Sequence, residues 1–219
     1  QPTQCKARGL DTMRKSASEP RFKLQRRLLT ELPGLGKAGA LERRPYPPGQ
    51  HGGKRIKYSD FRLQLEEKQK LRVHYGLREE QMLRLVKNAK KQTGEKWIAN
   101  LANILEKRLE NIIFRAGFAQ SIRSAAQMIS HGQVLVNGLK VNIRSAKVRK
   151  GDTVSLTTRG VKNQIYINAK QSPRLPLPDW LKKNETDTLA EVTLIDEPTL
   201  QSVPFYFNES LVVSYYSKA

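Results

Sequence analysis

Cysteine is almost missing from this sequence, Cys5 being the single thiol. One thiol closes no internal disulfide and builds no multi-cysteine zinc site, so neither device is expected to hold the fold. Long apolar runs are missing too, and none approaches the roughly 20 residues of a membrane-spanning helix. The first residues are basic and polar without an apolar segment, so no secretory signal is expected there. Histidine is scarce, and His51, His74 and His131 are scattered with no ligand cluster around them. No metal or cofactor is therefore expected. No glycine-rich phosphate motif follows a strand, and no serine or cysteine constellation has a base beside it. Catalysis is not expected from such a chain.

Acidic residues are the other shortage. Among 219 residues, 20 Asp and Glu face 40 Lys and Arg, a net charge of +20. Such an excess repels itself unless a polyanion neutralises it. Nucleic acid is the first candidate, and an anionic membrane the second. The excess is uneven. Residues 1–100 carry 24 basic and 10 acidic side chains, residues 101–160 carry 10 and 3, and residues 161–219 carry 6 and 7. The first three quarters should meet the polyanion, and the last quarter should complete a fold.

Residues 1–20 are polar and short of large apolar side chains, so they are expected to be extended or ordered only by a partner. Phe22, Leu24, Leu28, Leu29 and Leu32 form the apolar side of a short helix ending near Pro33-Gly34, with Arg21, Lys23, Arg26 and Arg27 beside it. RRPYPPGQHGGKR at 43–55 is too rich in proline and glycine for regular structure. It is either a plain surface loop or a basic loop ordered against phosphates, and Arg43, Arg44, Lys54 and Arg55 favour the second. Ser59 and Asp60 predict the start of a helix that ends at Tyr75-Gly76. A second helix runs from about Glu79 to Gln92, with Gly94 as its stop. Lys87, Lys90 and Lys91 crowd its last turns, where cations suit a helix C-terminus with or without a ligand. Trp97–Ala116 is apolar at helical spacing, with a break expected near Asn103.

Residues 105–158 read as one compact unit. A helix stops at Gly117, Ser121 caps a second one to about Ser130, and His131-Gly132 closes it. Val134 and Val136 then alternate against Leu139, Val141 and Ile143 across Asn137-Gly138, the strongest short-range sign of a hairpin. After Lys150-Gly151-Asp152, Val154 and Leu156 form a further strand. Two helices on a small antiparallel sheet follow, an α+β arrangement. Lys107, Arg108, Arg115, Arg123, Lys140, Arg144, Lys147, Arg149 and Lys150 make its polar face almost wholly basic. Such a face suits folded RNA, which is read through shape, phosphates and 2′-hydroxyls. His131 either closes the helix or meets RNA.

Several separated runs carry a resemblance: RRPYPPGQHG at 43–52, LEEKQKLRVHYG at 65–76, LEKRLENIIFRAGFAQSIRSAAQMISHGQVLVNG at 105–138, VRKGDTVSL at 148–156 and ESLVVSYYSK at 209–218. In sequence and order they resemble the S4 family of small-subunit ribosomal proteins, in its zinc-free bacterial or organellar form. The resemblance implies an N-terminal extension (1–19), a helical rRNA-binding lobe (20–104), an S4 RNA-binding domain (105–168) and a C-terminal return packed on the helical lobe (169–219). It implies binding to the 5′ domain of small-subunit rRNA early in assembly. It further implies a place at the messenger-RNA entrance beside proteins resembling S3 and S5, with no membrane and no second copy of the chain as partner. The location implied is the small ribosomal subunit, in an organelle (plastid or mitochondrion) or the bacterial cytoplasm.

Residue by residue, the resemblance carries RNA contact to Arg43, Arg44, Gln50, His51 and Gly52, and to Tyr58, Lys68, Lys70, Arg72 and Tyr75. In the module it covers Arg108, Asn111, Arg115 and His131, with Ser121 at the helix start, while Asn137 and Gly138 act through their turn. Two departures stand out. The cysteine cluster of many bacterial members is reduced to Cys5, and the arginine that often follows the family's serine is displaced from Ile122 to Arg123. The same module occurs in pseudouridine synthases and some aminoacyl-tRNA synthetases, but those need a separate catalytic domain. A free-standing RNA chaperone would need neither the 43–76 block nor the return. In the return, Pro173, Pro176, Pro178, Trp180 and Leu181 predict an irregular segment. Leu189–Ile195 and Leu211–Tyr216 predict strands packed on helices, and Phe205, Tyr206 and Phe207 predict core.

Overall fold

The computed structural model describes residues 20–36, 39–54, 57–92, 96–186 and 190–217. The expectations for residues 1–19, Arg55, Gly94 and Leu189 lie outside the described residues. Helix α1 (Arg21–Leu28) stops a turn before Pro33-Gly34, because Leu29 takes a left-handed backbone at φ 48°. The turn brings Leu32 and Leu35 against Leu24, Leu28 and Val73 in a small apolar cluster. Phe22 and Leu29, expected on that apolar side, are exposed instead. After a short helix α2 (Ala40–Arg43) and the proline-glycine loop, α3 (Asp60–His74) begins where its cap predicts. Ser59 Oγ accepts from the Arg62 N–H at 3.3 Å. Helix α4 (Glu79–Lys91) follows, turning Met82, Val86 and Ala89 inward at helical spacing.

The apolar stretch beyond is two helices, α5 (Trp97–Glu106) and α6 (Leu109–Arg115), but the break lies at Lys107-Arg108 and not near Asn103. Arg108 is extended there, at φ −70° and ψ 135°. Segment 144–148 supplies the bonds that the helix gives up. Leu109 N donates to Ala146 O at 2.9 Å, Glu110 N to Arg144 O at 3.2 Å, and Val148 N to Lys107 O at 3.0 Å. Without them the break would leave buried main-chain groups unpaired.

Helix α7 (Ile122–Ser130) is capped by Ser121, whose Oγ accepts from the Ser124 N–H at 3.1 Å. Strands β1 (Val134–Val136) and β2 (Leu139–Lys140) meet across Asn137 and Gly138, at φ 50° and 80°. Two consecutive left-handed residues make the tight turn whose twist suits a hairpin. The Asn137 amide donates to Asp152 Oδ1 and its Oδ1 accepts from Thr153 N, both at 2.9 Å, binding the turn to β3 (Thr153–Leu156). Helices α8 (Thr158–Val161) and α9 (Gln164–Gln171) follow. Strands β4 (Leu181–Glu185) and β5 (Ala190–Leu194) then extend the same sheet, giving the antiparallel order β2-β1-β3-β5-β4. The fold is α+β.

The return therefore differs from its expectation. Part of the segment read as irregular is the edge strand β4, whose polar sequence LKKNE fully buries only Leu181. Lysine on an edge discourages pairing with another chain. Leu211–Tyr216, read as a strand, lies in helix α10 (Glu209–Ser217) on α3. Val212 and Tyr216, four residues apart, are its buried positions, and Asn208 Oδ1 accepts from Leu211 N at 3.3 Å. The β-branched pair lowers helix propensity by only a few tenths of a kcal/mol per residue, which packing overrides. Phe207 is buried and Phe205 half-buried, but Tyr206, grouped with them as core, is exposed. The return thus serves both lobes: its strands complete the module's sheet, while a 3-10 turn (Leu200–Ser202) meets α5 and α10 meets α3.

A polar network crosses this junction inside the core. Glu106 receives hydrogen bonds from the Tyr75 hydroxyl and from Asn111 Nδ2 (2.8 Å), and Arg115 Nε lies 3.6 Å away. Arg115 Nη2 donates to Ser202 O at 2.9 Å. Beside it, His74 is enclosed by Tyr75, Phe114 and Phe205, at ring-centroid distances of 4.8, 6.4 and 4.7 Å. Burial, with the Arg115 charge adding to it, pushes the His74 imidazolium pKa from 6.5 down to about 3.

The folded chain therefore refuses a proton that the unfolded chain accepts. Stability is full above the ordinary histidine range and falls as pH drops from 6.5 towards 3, by about 1.4 kcal/mol per unit from this group. Urea titrations at about pH 7, 6 and 5 are expected to show that loss, and His74→Phe to flatten it. Parallel curves for the two proteins would remove His74 as the cause.

Candidate nucleic-acid interface

The proline-glycine loop is ordered by the protein itself. Arg26 Nε donates to Tyr46 O at 3.0 Å and Nη2 to Pro47 O at 3.3 Å, with the guanidinium 4.9 Å from the Tyr46 ring centroid. Gly52 lies so close to Pro47 that a Cβ would stand 2.0 Å from its carbonyl oxygen, so only glycine fits without a shift. Arg26, half-buried, shapes the loop through these bonds. Arg43, Arg44, Gln50, His51 and Lys54 are exposed on it, and Arg55 lies outside the described residues. Arg21, Lys23 and Arg27 are exposed on α1. Tyr58 is exposed ahead of α3, with the Arg62 guanidinium 5.1 Å from its ring centroid.

Helix α3 corrects the residue-by-residue expectation. Lys68 is buried, paired with Glu79 at 2.5 Å and 5.0 Å from the Tyr215 ring centroid, and burial lowers its pKa. Lys70 is bonded to Glu67 at 2.6 Å. Arg72 is buried and donates to Gln69 Oε1 at 2.6 Å, and Tyr75 is buried against Glu106. None of these buried three presents a free head to a ligand. Arg108 and Arg115 are corrected likewise. Arg108 holds Glu110 through two bonds of 3.0 and 2.5 Å inside the protein, and Arg115 belongs to the Glu106 network. Ser121 is a buried helix cap, and Asn111 is fully buried. Buried charges of this kind persist because they are paired.

What the module leaves exposed is narrower than its sequence implies. Arg123, Lys140, Arg144, Lys147 and Arg149 face outward. The Lys140 stem lies over Gly132 at the end of α7, a favourable place for a cation without any ligand. Lys107 is bonded to Glu197 at 2.6 Å and Lys150 to Asp196 at 2.9 Å, and these pairs hold both carboxyls below their usual range. His131 closes α7 through its main-chain N–H to Gln127 O, and its side chain is exposed. Helix α4 adds a further exposed surface, of which the sequence had marked Lys87 and Lys91 only as cations suited to a helix end. Arg84, Lys87 and Lys91 lie in line on the outer face of α4, exposed and without an acidic partner among the described residues. Their spacing of three and four residues was the available signal.

The surface thus offers exposed cations on the loop, α1, the module and α4, and among the described residues no cluster of groups suited to a metal ion. The family model for the ribosomal protein S4/S9 N-terminal domain matches residues 16–106, and that for the S4 domain matches residues 107–154. Small ribosomal subunit protein uS4B of Bdellovibrio bacteriovorus is 59% identical over 94% of this chain and 99% of its own length. Protein uS4 of Methylobacillus flagellatus is 44% identical over 90% of this chain and 96% of its own, and that of a Nostoc species 42% over 91% and 96%. By both sequence identity and domain content, the chain belongs to the uS4 family of small ribosomal subunit proteins.

Proposed function

We propose that this chain is a structural constituent of the small ribosomal subunit that binds the 5′ domain of its rRNA early in assembly. In the finished particle it helps to form the messenger-RNA entrance beside proteins resembling S3 and S5. One observation carries the reading: the 43–54 loop is already folded by Arg26 and Gly52, and it holds Arg43, Arg44 and Lys54 in solvent. A preformed cationic loop loses little conformational freedom on meeting phosphates, which favours a defined RNA shape over a general polyanion. The helical lobe (20–104) and the module (105–168) each present such cations, while the near-neutral return (169–219) joins the two. Arg21, Lys23, Arg27, Arg43, Arg44, Gln50, His51, Lys54, Tyr58, Arg123, Lys140, Lys147 and Arg149 are the contacts assigned. The family is structural and non-enzymatic, and the chain acts by binding.

Affinity then comes mostly from phosphate neutralisation, and specificity from the fit of two lobes to a folded junction. The isolated 5′ domain is expected to bind roughly a hundredfold more tightly than a length-matched unrelated structured RNA at about 0.15 M salt. Equal binding to both, lost together as salt rises, would overturn the reading.

A further inference from the structure

Between the helical lobe and the module lies a cleft of about 240 Å3. It is smaller than the about 300–1,000 Å3 of pockets that enclose a drug-sized ligand. Four arginines and one carboxylate line it: Arg72, Arg78, Arg123, Arg144 and Glu110. Their charges do not cancel. Arg72 is held by Gln69 and lies 3.8 Å from Glu79. Glu110 is matched by the buried Arg108 at 2.5 Å, and Arg144 stands off at 3.9 Å with half of its side chain exposed. Arg78 and Arg123 meet no carboxylate among the described residues.

The three cations come from three separate parts of the chain. Arg78 stands at the α3–α4 corner, Arg123 in the first turn of α7, and Arg144 in the segment that seals the α5–α6 break. Partial burial lowers the Arg123 pKa, and Arg21 on α1 adds like-charge repulsion to it. Guanidiniums that outnumber the acids around one cleft repel one another, and an anion among them lowers that cost. The planar fork of arginine suits phosphate oxygens better than it suits chloride. The displacement of the family's arginine to position 123 therefore leaves a charge directed at the boundary between the lobes.

We propose that this cleft is a socket for one inward-turned backbone phosphate of the bound RNA, gripped by Arg78, Arg123 and Arg144 from both lobes at once. The proposal rests on the rRNA-binding reading above. A phosphate seated there fixes the RNA against the helical lobe and the module together, which neither lobe does alone.

The test uses the full chain and the 5′-domain fragment. Arg78→Ala and Arg123→Ala are each expected to weaken binding about fivefold at about 0.15 M salt and to lower the salt slope by about one. Lys182→Ala, on the far edge strand, should change neither, and all three should melt as the wild type does. If the wild type prefers the fragment while both arginine variants bind as it does with unchanged slopes, the socket is wrong and the rRNA reading survives. If the wild type shows no preference, that reading fails and the socket falls with it. Inorganic phosphate exchanged for chloride at equal ionic strength separates the sources. A rise in wild-type Tm that Arg123→Ala abolishes, with RNA binding unaltered, would make free phosphate the occupant and overturn the proposal.

Discussion

Arg115→Ala is expected to destabilise the folded chain by about 3–5 kcal/mol, the cost of breaking a buried ion pair from one side. The substitution strips the counter-charge from Glu106, which is wholly buried, and leaves Ser202 O without its donor. Burial already raises the Glu106 carboxyl pKa, with Arg115 the first of the influences opposing it. Without Arg115 that pKa rises further. A raised carboxyl pKa means the folded state holds a proton that the unfolded state has released, so this contribution is present at low pH and lost as pH rises through the folded value. The deficit should therefore be larger at neutral pH than in mild acid. The double variant Glu106→Gln, Arg115→Met removes both charges together and should recover most of the loss. Urea titration of the three proteins decides the matter. A single variant as stable as the wild type, with rRNA affinity nevertheless reduced, would restore Arg115 to the RNA surface.

Replacing Arg43, Arg44 and Lys54 together by alanine is expected to lower affinity for the 5′-domain fragment by roughly a hundredfold at about 0.15 M salt. Each neutralised phosphate contributes about fivefold there, and the salt slope should fall by about three. Stability should stay within about 0.5 kcal/mol of the wild type, since these side chains are exposed and surface changes of this kind are small. The lost affinity would then belong to the interface and not to the fold. Filter binding across a salt series measures both quantities. An unchanged slope would show that the loop faces something other than RNA phosphates.

Local chemistry made much of this molecule legible. Ser59 and Ser121 mark helix starts because a side-chain oxygen meets an N–H two or three residues on. Asn137-Gly138 marks the hairpin because both residues must be left-handed. The polyanion partner was legible from charge alone, and the family from separated motifs in order. The burial of the cations was not. LEEKQKLRVHYG and LEKRLENIIFRAG show the same basic residues whether their heads meet water, RNA or a carboxylate. Lys68 finds Glu79 and Arg115 finds Glu106 through the crossing of helices that no local spacing specifies.

The α5–α6 break has the same origin. Residues 97–116 by themselves point to a break near Asn103, and segment 144–148, some forty residues later, supplies the bonds that place it at Lys107-Arg108. α10 is a helix despite Val212-Val213 because α3 offers it a face. By itself, then, the sequence determined the caps, the hairpin turn, the sign of the partner's charge and the family, all of which depend on residues near in the chain or on composition. Only the tertiary structure decided which cations remain exposed, where the long helix breaks and how the return divides between the lobes. Those depend on desolvation and long-range hydrogen bonds, which exist only once distant segments are packed together.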